Sequence, residues 1–261
     1  MAKPPPRLYT KAPLREGETF HLDRDQAHYL VKVLRLKAGD DVLLFNGQEG
    51  EWRGQLCEVS RKQAQVVLKE QTRPQISSPP ITLLFAPVKK GPTDFIIQKA
   101  TELGVSAFHP ITTARTITNR ISKDRFEAIA IEAAEQCERL DVPELHGLTP
   151  LEDALAQLGA STILYADEAG DSPTMRWGGQ TGHAPLGNRA FSSLSSQAPS
   201  SPSSPWALLV GPEGGFTPEE RQMLRAKPNV LPIHLGPRIL KAETAVIVGL
   251  TLWQANIGDM T

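Results

Sequence analysis

The chain has 261 residues, of which 40% are hydrophobic and 22% charged, and its formal net charge is −1. These values are typical of a globular protein with a substantial core, and they exclude a disordered chain and a generic, strongly basic nucleic-acid binder. The sequence has no apolar run long enough for a membrane helix and does not begin with a secretory signal. The two cysteines indicate no disulfide framework, so we expect a cytoplasmic protein without a membrane partner.

Residues 1–75 indicate a small domain made of short strands. We predict these strands at 19–22, 41–45, 51–59 and 63–70. Several short strands in such a short stretch favour a small β-barrel. This part carries 13 Lys plus Arg against 10 Asp plus Glu, whereas the rest of the chain carries 15 against 19. A mildly basic first domain is compatible with RNA contact through one face.

A short amphipathic helix is predicted at 25–36 within this domain. Leu30 and Val33 fall on the side expected to face the core. Lys32 and Arg35 fall on the opposite, water-facing side. The helix therefore offers two basic side chains for a possible contact with RNA phosphates.

A proline- and serine-rich linker is predicted at 71–80, and strands then alternate with helices over 80–261. This alternation is typical of an α/β sheet. We predict strands at 81–88, 105–111, 162–166, 206–210 and 230–235, and helices at 93–103, 122–137, 150–159 and 242–256. Thr149 to Glu152 is predicted to form a capping box at the third of these helices.

Residues 170–205 interrupt this pattern, because they are rich in Ser, Gly and Pro and lack periodic apolar positions. We interpret them as a flexible insertion between two core strands. Arg176 and Trp177 within the insertion are candidates for RNA contact, but no feature of the sequence requires it.

The strand at 206–210 runs into the glycine-rich segment Gly211-Pro212-Glu213-Gly214-Gly215. Glycines at such a position let the backbone turn sharply and let a ligand approach the main chain. Thr217-Pro218-Glu219-Glu220 then predicts a helix start, with Thr217 as N-cap and Glu220 completing a capping box. In α/β proteins, a strand followed by a glycine loop and a helix commonly forms a ligand site.

A second loop of the same kind follows the strand predicted at 230–235. Gly236-Pro237 turns the chain, and an apolar helix is predicted from Ala242. We expect the two strands to be neighbours, so that their loops meet over one pocket. The alternative from pattern alone is two ordinary turns without a ligand.

The motif GPEGGFTPEE at 211–220, followed by LGPRILKAETA at 235–245, resembles the paired motifs of the 16S ribosomal RNA uridine-N3 methyltransferase family. That family belongs to the SPOUT superfamily. The resemblance extends to Arg7-Leu8-Tyr9, to the helix segment 28–36 and to 98–105 with Glu135-Gln136. It covers nearly the whole chain except roughly 170–204.

The resemblance implies a trefoil-knotted α/β methyltransferase domain at 80–261 and a PUA-like RNA-binding β-barrel at 1–75. It also implies S-adenosylmethionine as cofactor, N3 of a uridine in 16S ribosomal RNA of the small subunit as target, and a homodimer through the C-terminal domain. The apolar residues Val246, Ile247, Leu250 and Trp253 of the last helix are the expected dimer surface.

Candidate site residues follow from these loops. Arg238 is the candidate cation for an anionic uracil. Glu213 and Glu243 are the candidate general bases, and Glu213 is favoured because it lies beside glycines. The expected cofactor-binding residues are Leu209, Gly211, Glu213, Gly214, Gly215, Leu235, Gly236, Ile239, Leu240 and Thr244. The expected RNA-binding residues are Arg7, Lys32, Arg35, Arg53 and Lys241.

Two other functions remain open at this point. A ribosome-assembly factor would bind RNA through residues 1–75 without catalysis, and an α/β enzyme could use the Gly211 loop to bind phosphate. The six histidines are not spaced as metal ligands, either with one another or with cysteine, so we expect no metal.

Overall fold

A computed structural model describes four stretches of the chain. These are residues 4–60, 64–76, 79–168 and 205–260. The chain divides into two compact units: residues 1–77 with 131–142, and residues 78–130 with 143–261. The sequence did not indicate that 131–142 groups with the N-terminal unit. The insertion predicted at 170–205, with Arg176 and Trp177, lies outside the described residues apart from its last position.

The first unit is built on a five-stranded sheet. Its strands are β1 (Arg7–Tyr9), β2 (Thr19–His21), β3 (Asp41–Phe45), β4 (Glu51–Val59) and β5 (Ala64–Arg73). The strand order is β1-β3-β4-β5-β2, with β1 parallel to β3 and the other pairs antiparallel. Three register shifts between β4 and β5 bend the sheet, as β-bulges do, so that it curls around an apolar core. The four predicted strands are confirmed, and β1 is an addition.

The helix predicted at 25–36 is shorter and less regular than expected. An α-helix, α1 (Arg24–His28), begins at the capping residue Asp23 and passes into a π-helical turn at Tyr29–Val33. The π-helical spacing rotates the following side chains, so that Leu30 is buried but Val33 is 58% exposed. The prediction that Val33 faces the core was therefore wrong.

The second unit is organised around a parallel sheet. Its strands are β6 (Ile81–Phe85), β7 (Ala107–Thr112), β8 (Glu144–Leu145), β9 (Thr149–Pro150), β10 (Thr162–Ala166), β11 (Trp206–Val210) and β12 (Val230–Ile233). The order is β12-β10-β11-β6-β7-β8, and β9 pairs with β7. The expectation that β11 and β12 are neighbours was wrong, because β10 lies between them and pairs with both.

Helices connect these strands. They are α2 (Lys90–Glu102), α3 (Lys123–Gln136), α4 (Leu151–Gln157), α5 (Pro218–Arg225) and α6 (Ala242–Asn256). Residues 131–136 of α3 belong to the first unit. The capping box predicted at Thr149 was wrong, because Pro150 is the N-cap of α4 and the Thr149 hydroxyl donates to the carbonyl of Gly147 at 3.0 Å. Among the described residues, no helix has the length and apolar character needed to cross a membrane.

The apolar side chains of α6 are used inside the unit. Val246, Leu250 and Trp253 are each 0% exposed, and α6 packs against α2 and β11. The Gln254 side-chain amide donates to the carbonyl of Leu103 at 2.7 Å and ties α6 to the end of α2. The expectation that this face of α6 is free to form a dimer surface was therefore wrong for those three residues.

Candidate active site

Three loops meet at one edge of the parallel sheet. They follow β10, β11 and β12, and the carboxyl ends of parallel strands lie at the same edge. Together they line a cavity of about 240 Å³. The cavity is bounded by residues 166–168, 210–213, 215–216 and 234–240, and by Ala242 and Ala245 at the start of α6.

The glycine loop after β11 needs glycine for two different reasons. A Cβ on Gly211 would lie 2.6 Å from the ring of Phe216, which is buried against Tyr165. Gly215 has φ +66°, the left-handed region that favours glycine, and a Cβ there would also displace the exposed carboxylate of Glu168. The loop can therefore fold this tightly only without these side chains.

A capping box fixes the far end of the same loop, as predicted. The Thr217 hydroxyl accepts from the backbone N–H of Glu220 at 3.2 Å, and the Glu220 carboxylate accepts from the N–H of Thr217 at 2.8 Å. The same carboxylate accepts from the N–H of Ala114 at 2.8 Å, and the Arg115 guanidinium donates to the carbonyl of Gly214 at 2.6 Å. The segment after β7 is therefore anchored to the glycine loop by one contact and to the start of α5 by the other.

Asp167 is a buried carboxylate at the base of the cavity, 2% exposed. It forms ion pairs with Arg225 and, at 3.5 Å, with Arg221, and the Tyr165 hydroxyl donates to it at 3.4 Å. Burial, followed by the negative charge of Asp167, raises the pKa of Tyr165. Asp167 is thus neutralised within the protein and Tyr165 keeps its proton.

Three charged groups remain exposed around the cavity. They are the carboxylates of Glu168 and Glu213 and the guanidinium of Arg238. Val210, Phe216, Leu235 and Leu240 give other parts of the wall an apolar character. A cavity that combines apolar walls with a few charged groups is typical of a small-molecule site, and here the carboxylates favour a ligand that carries positive charge.

The structure brings most of the predicted cofactor residues to this cavity. Those that line it are Gly211, Glu213, Gly215, Leu235, Gly236, Ile239 and Leu240, together with Arg238. Three others do not line it. Leu209 points into the core, Gly214 faces Arg115, and Thr244 is exposed on α6.

The candidate RNA-binding residues have different environments. The structure corrects the prediction for Arg7, whose side chain is 7% exposed and bonded to Glu51 at 2.6 Å. The Arg7 guanidinium also donates to three backbone carbonyls, and burial leaves it no room for a phosphate. Lys32, Arg35 and Lys241 are exposed. Arg53 is also exposed and pairs with Glu70 at 2.9 Å.

The sequence pattern did not predict that the segment after β10 contributes to the site. Asp167, Glu168 and Phe216 line the cavity, and Arg115 supports it from outside. One signal was present in the sequence, since two adjacent acidic residues follow directly after the buried strand β10. Their place in the site depends on the position of β10 between β11 and β12, which the sequence pattern does not reveal.

Comparisons with known proteins define the class. Residues 76–254 match the family model described as RNA methyltransferase domain, and residues 22–69 match that described as RNA methyltransferase PUA domain. A PUA-like curled sheet and a parallel-sheet methyltransferase domain are therefore both present. The fold and the cavity are those of an RNA methyltransferase.

Full-length relatives narrow the class to one family. The ribosomal RNA small subunit methyltransferase E of Rickettsia conorii is 33% identical over 94% of this chain and 93% of its own. That of Bacillus subtilis is 29% identical over 93% and 92%. The chain belongs to the ribosomal RNA small subunit methyltransferase E family.

Solved structures agree with this assignment. A ribosomal RNA small subunit methyltransferase E from Neisseria gonorrhoeae bound to S-adenosylmethionine has a TM-score of 0.80, with 26% identity over 98% of this chain and 100% of that one. A putative methyltransferase from Legionella pneumophila, in complex with the same cofactor, also has a TM-score of 0.80, with 29% identity over 97% and 98%.

Proposed function

We propose that this protein transfers a methyl group from S-adenosylmethionine to N3 of a specific uridine in 16S ribosomal RNA, in the cytoplasm. One observation carries the proposal: the loop at 211–216 and the loop at 234–240 line the same cavity. Family membership supports the same reaction, because the relatives are named for methylation of small-subunit ribosomal RNA.

The cavity fits the chemistry of S-adenosylmethionine. An adenine ring favours apolar walls, which Val210, Leu235 and Leu240 supply. The sulfonium and amino groups are cationic, and the exposed carboxylates of Glu168 and Glu213 suit them. The trefoil knot that the resemblance implies for these loops stays a prediction.

Methyl transfer to N3 of uracil requires the loss of the N3 proton. We assign Glu213 as the general base that accepts this proton and Arg238 as the cation that stabilises negative charge on the uracil oxygens. S-adenosylmethionine held between these loops would supply the methyl group for N3 and would leave as S-adenosylhomocysteine.

The first unit is proposed to contact the RNA. Its PUA-type sheet supports this role, as do the exposed cations Lys32, Arg35 and Arg53. Lys241, exposed at the start of α6, is proposed to contact RNA beside the cofactor. Arg7 is excluded from this set by its burial.

We propose in addition that two copies pair through the second unit. Two exposed isoleucines support this proposal, since Ile239 is 87% and Ile117 is 91% exposed, and their burial would be favourable. Sedimentation velocity at micromolar concentration should show a dimer, and Ile117→Asp with Ile239→Asp should shift it towards monomer. A wild-type monomer under these conditions would contradict pairing.

Cofactor binding tests the proposed function directly. Isothermal titration of the purified protein with S-adenosylmethionine and with S-adenosylhomocysteine should show saturable binding of both. Absence of heat at high ligand concentration, confirmed by a second binding method, would contradict the proposal. A ribosome-assembly factor without catalysis would bind RNA but transfer no labelled methyl group.

A further inference from the structure

The second unit has another cavity, which shares no lining residue with the cofactor cavity. It measures about 490 Å³ and lies between the segment that enters α2 and the segment that enters α3. Its polar lining includes Lys89, Lys90, Asp94, Thr118, Arg120 and Arg125. None of these residues was a candidate site residue from the sequence.

The lining of this basic cavity has an excess of positive charge. Among the described residues that line it there are four cations and one carboxylate, Asp94, which pairs with Arg125. Lys89, Lys90 and Arg120 are exposed and, within the described ranges, make no ion pair. This local excess contrasts with the chain as a whole, whose net charge is −1.

Two of these cations lie at the N-terminal end of α2, where positive charge is unfavourable. Lys89 is the N-cap of α2 and Lys90 is its first residue, and no acidic residue occupies the first turn. The N-terminal end of a helix carries partial positive charge, so lysines there repel it, whereas a bound anion would be attracted to both. Lys89 also provides no side-chain cap. The arrangement favours an anionic ligand over an empty site.

We propose that the basic cavity binds phosphates of the RNA substrate. This proposal rests on the proposed function. Its size and its three exposed cations, for which the described part of the chain provides no ion pair, suit a polyanionic backbone rather than one buried phosphate. Lysine is a flexible point charge suited to backbone contact, and the one aromatic lining residue, Phe126, is 6% exposed and offers no face for stacking. The cavity therefore positions the RNA and does not select its bases.

The test uses the full chain with Lys89→Ala and Lys90→Ala combined, and separately with Arg120→Ala. Steady-state methyl transfer to small ribosomal subunits should show a raised KM for RNA with kcat retained. Filter binding of 16S ribosomal RNA at several salt concentrations should show a shallower salt dependence, by about one unit for each lost phosphate contact. The affinity for S-adenosylmethionine should stay at the wild-type value.

Matched variants make the result specific. Lys227→Ala removes a lysine from the same unit outside both cavities and should leave KM and the salt dependence unchanged. Lys89→Arg with Lys90→Arg keeps both charges and should retain most of the RNA affinity. Wild-type KM and salt dependence in the double alanine variant would overturn the inference. Failure of the wild-type protein to transfer any methyl group would instead overturn the proposed function.

Discussion

Arg238 is the residue whose proposed role differs most clearly from that of its neighbours in the cavity. Leu235 and Leu240 supply apolar surface, whereas Arg238 supplies a cation for charge that develops during the reaction. We expect Arg238→Ala to lower kcat by roughly 10²-fold to 10³-fold while leaving cofactor affinity within a few-fold. Arg238→Lys should recover part of the rate, because it keeps the charge but loses the planar fork.

Single-turnover methyl transfer at saturating cofactor measures this effect. A variant with wild-type kcat and a weakened cofactor affinity would show that Arg238 binds the cofactor and does not act on the uracil. That result would leave Glu213 and Glu168 as the charged groups to be tested next.

Gly211 offers a second test at the scale of one residue. A methyl group at this position meets the Phe216 ring, which must shift from its contact with Tyr165. We expect Gly211→Ala to destabilise the protein by about 1–3 kcal/mol and to lower cofactor affinity at least tenfold. Gly147→Ala is the matched control, because a Cβ there meets no atom within 4 Å. Equal cofactor affinity in both variants would contradict the packing argument.

The surroundings of Glu51 predict that the folding stability of the first unit depends on pH. Burial raises its pKa, but hydrogen bonds from Arg73, Arg7 and Thr72 outweigh burial and leave the pKa below its ordinary value. The folded state therefore favours the carboxylate. Its stabilising contribution is present above the ordinary pKa of a glutamate, about 4.3, and is lost as the pH falls through the lower pKa of the folded state.

We expect Glu51→Gln to cost about 3 kcal/mol near pH 7, at the lower end for a buried pair because Arg73 is partly solvated. The difference from wild type should shrink below about pH 4. Urea unfolding monitored across this range measures it, with the exposed Glu16→Gln as control. A difference that does not change with pH would mean that the charge of Glu51 does not contribute to stability.

At the scale of elements, Glu220 joins the start of α5 to the segment after β7. Thr217→Ala should lower the free energy of unfolding by about 1 kcal/mol, the usual value of an N-cap. Glu220→Ala loses the same box and also the acceptor for the N–H of Ala114. Hydrogen exchange at the Ala114 amide should therefore accelerate in Glu220→Ala and stay slow in Thr217→Ala. Equal exchange rates in the two variants would exclude this link.

The sequence predicts an element correctly where adjacent residues alone determine that element. The capping box at Thr217 and the strand at 41–45 follow from adjacent residues, and both are confirmed. The π-helical turn at Tyr29–Val33 was not predicted, because its spacing departs from the α-helical period used to assign the helix. The exposure of Val33 follows from that departure.

In the molecule as a whole, the features that the sequence does not predict depend on contacts between residues that are far apart in the chain. The sequence placed the loops at 211–216 and 234–240 in one site, although the strands that carry them are separated by β10. It missed Asp167 and Glu168 because strand order depends on packing that no local pattern records. The apolar residues of α6 were predicted to form a dimer surface for the same reason. They are buried against α2 and β11, and α2 in particular is far from α6 in the sequence.

We propose that three loops at the edge of the sheet hold a methyl donor and present it to one uridine. The most direct measurement incubates the protein and labelled S-adenosylmethionine with small ribosomal subunits from cells that lack the enzyme, then identifies the modified nucleoside by mass spectrometry. We predict 3-methyluridine at one position of 16S ribosomal RNA, with little of it formed by the Arg238→Ala variant. No transfer by the wild-type protein, or label on a different nucleoside, would contradict the proposed reaction.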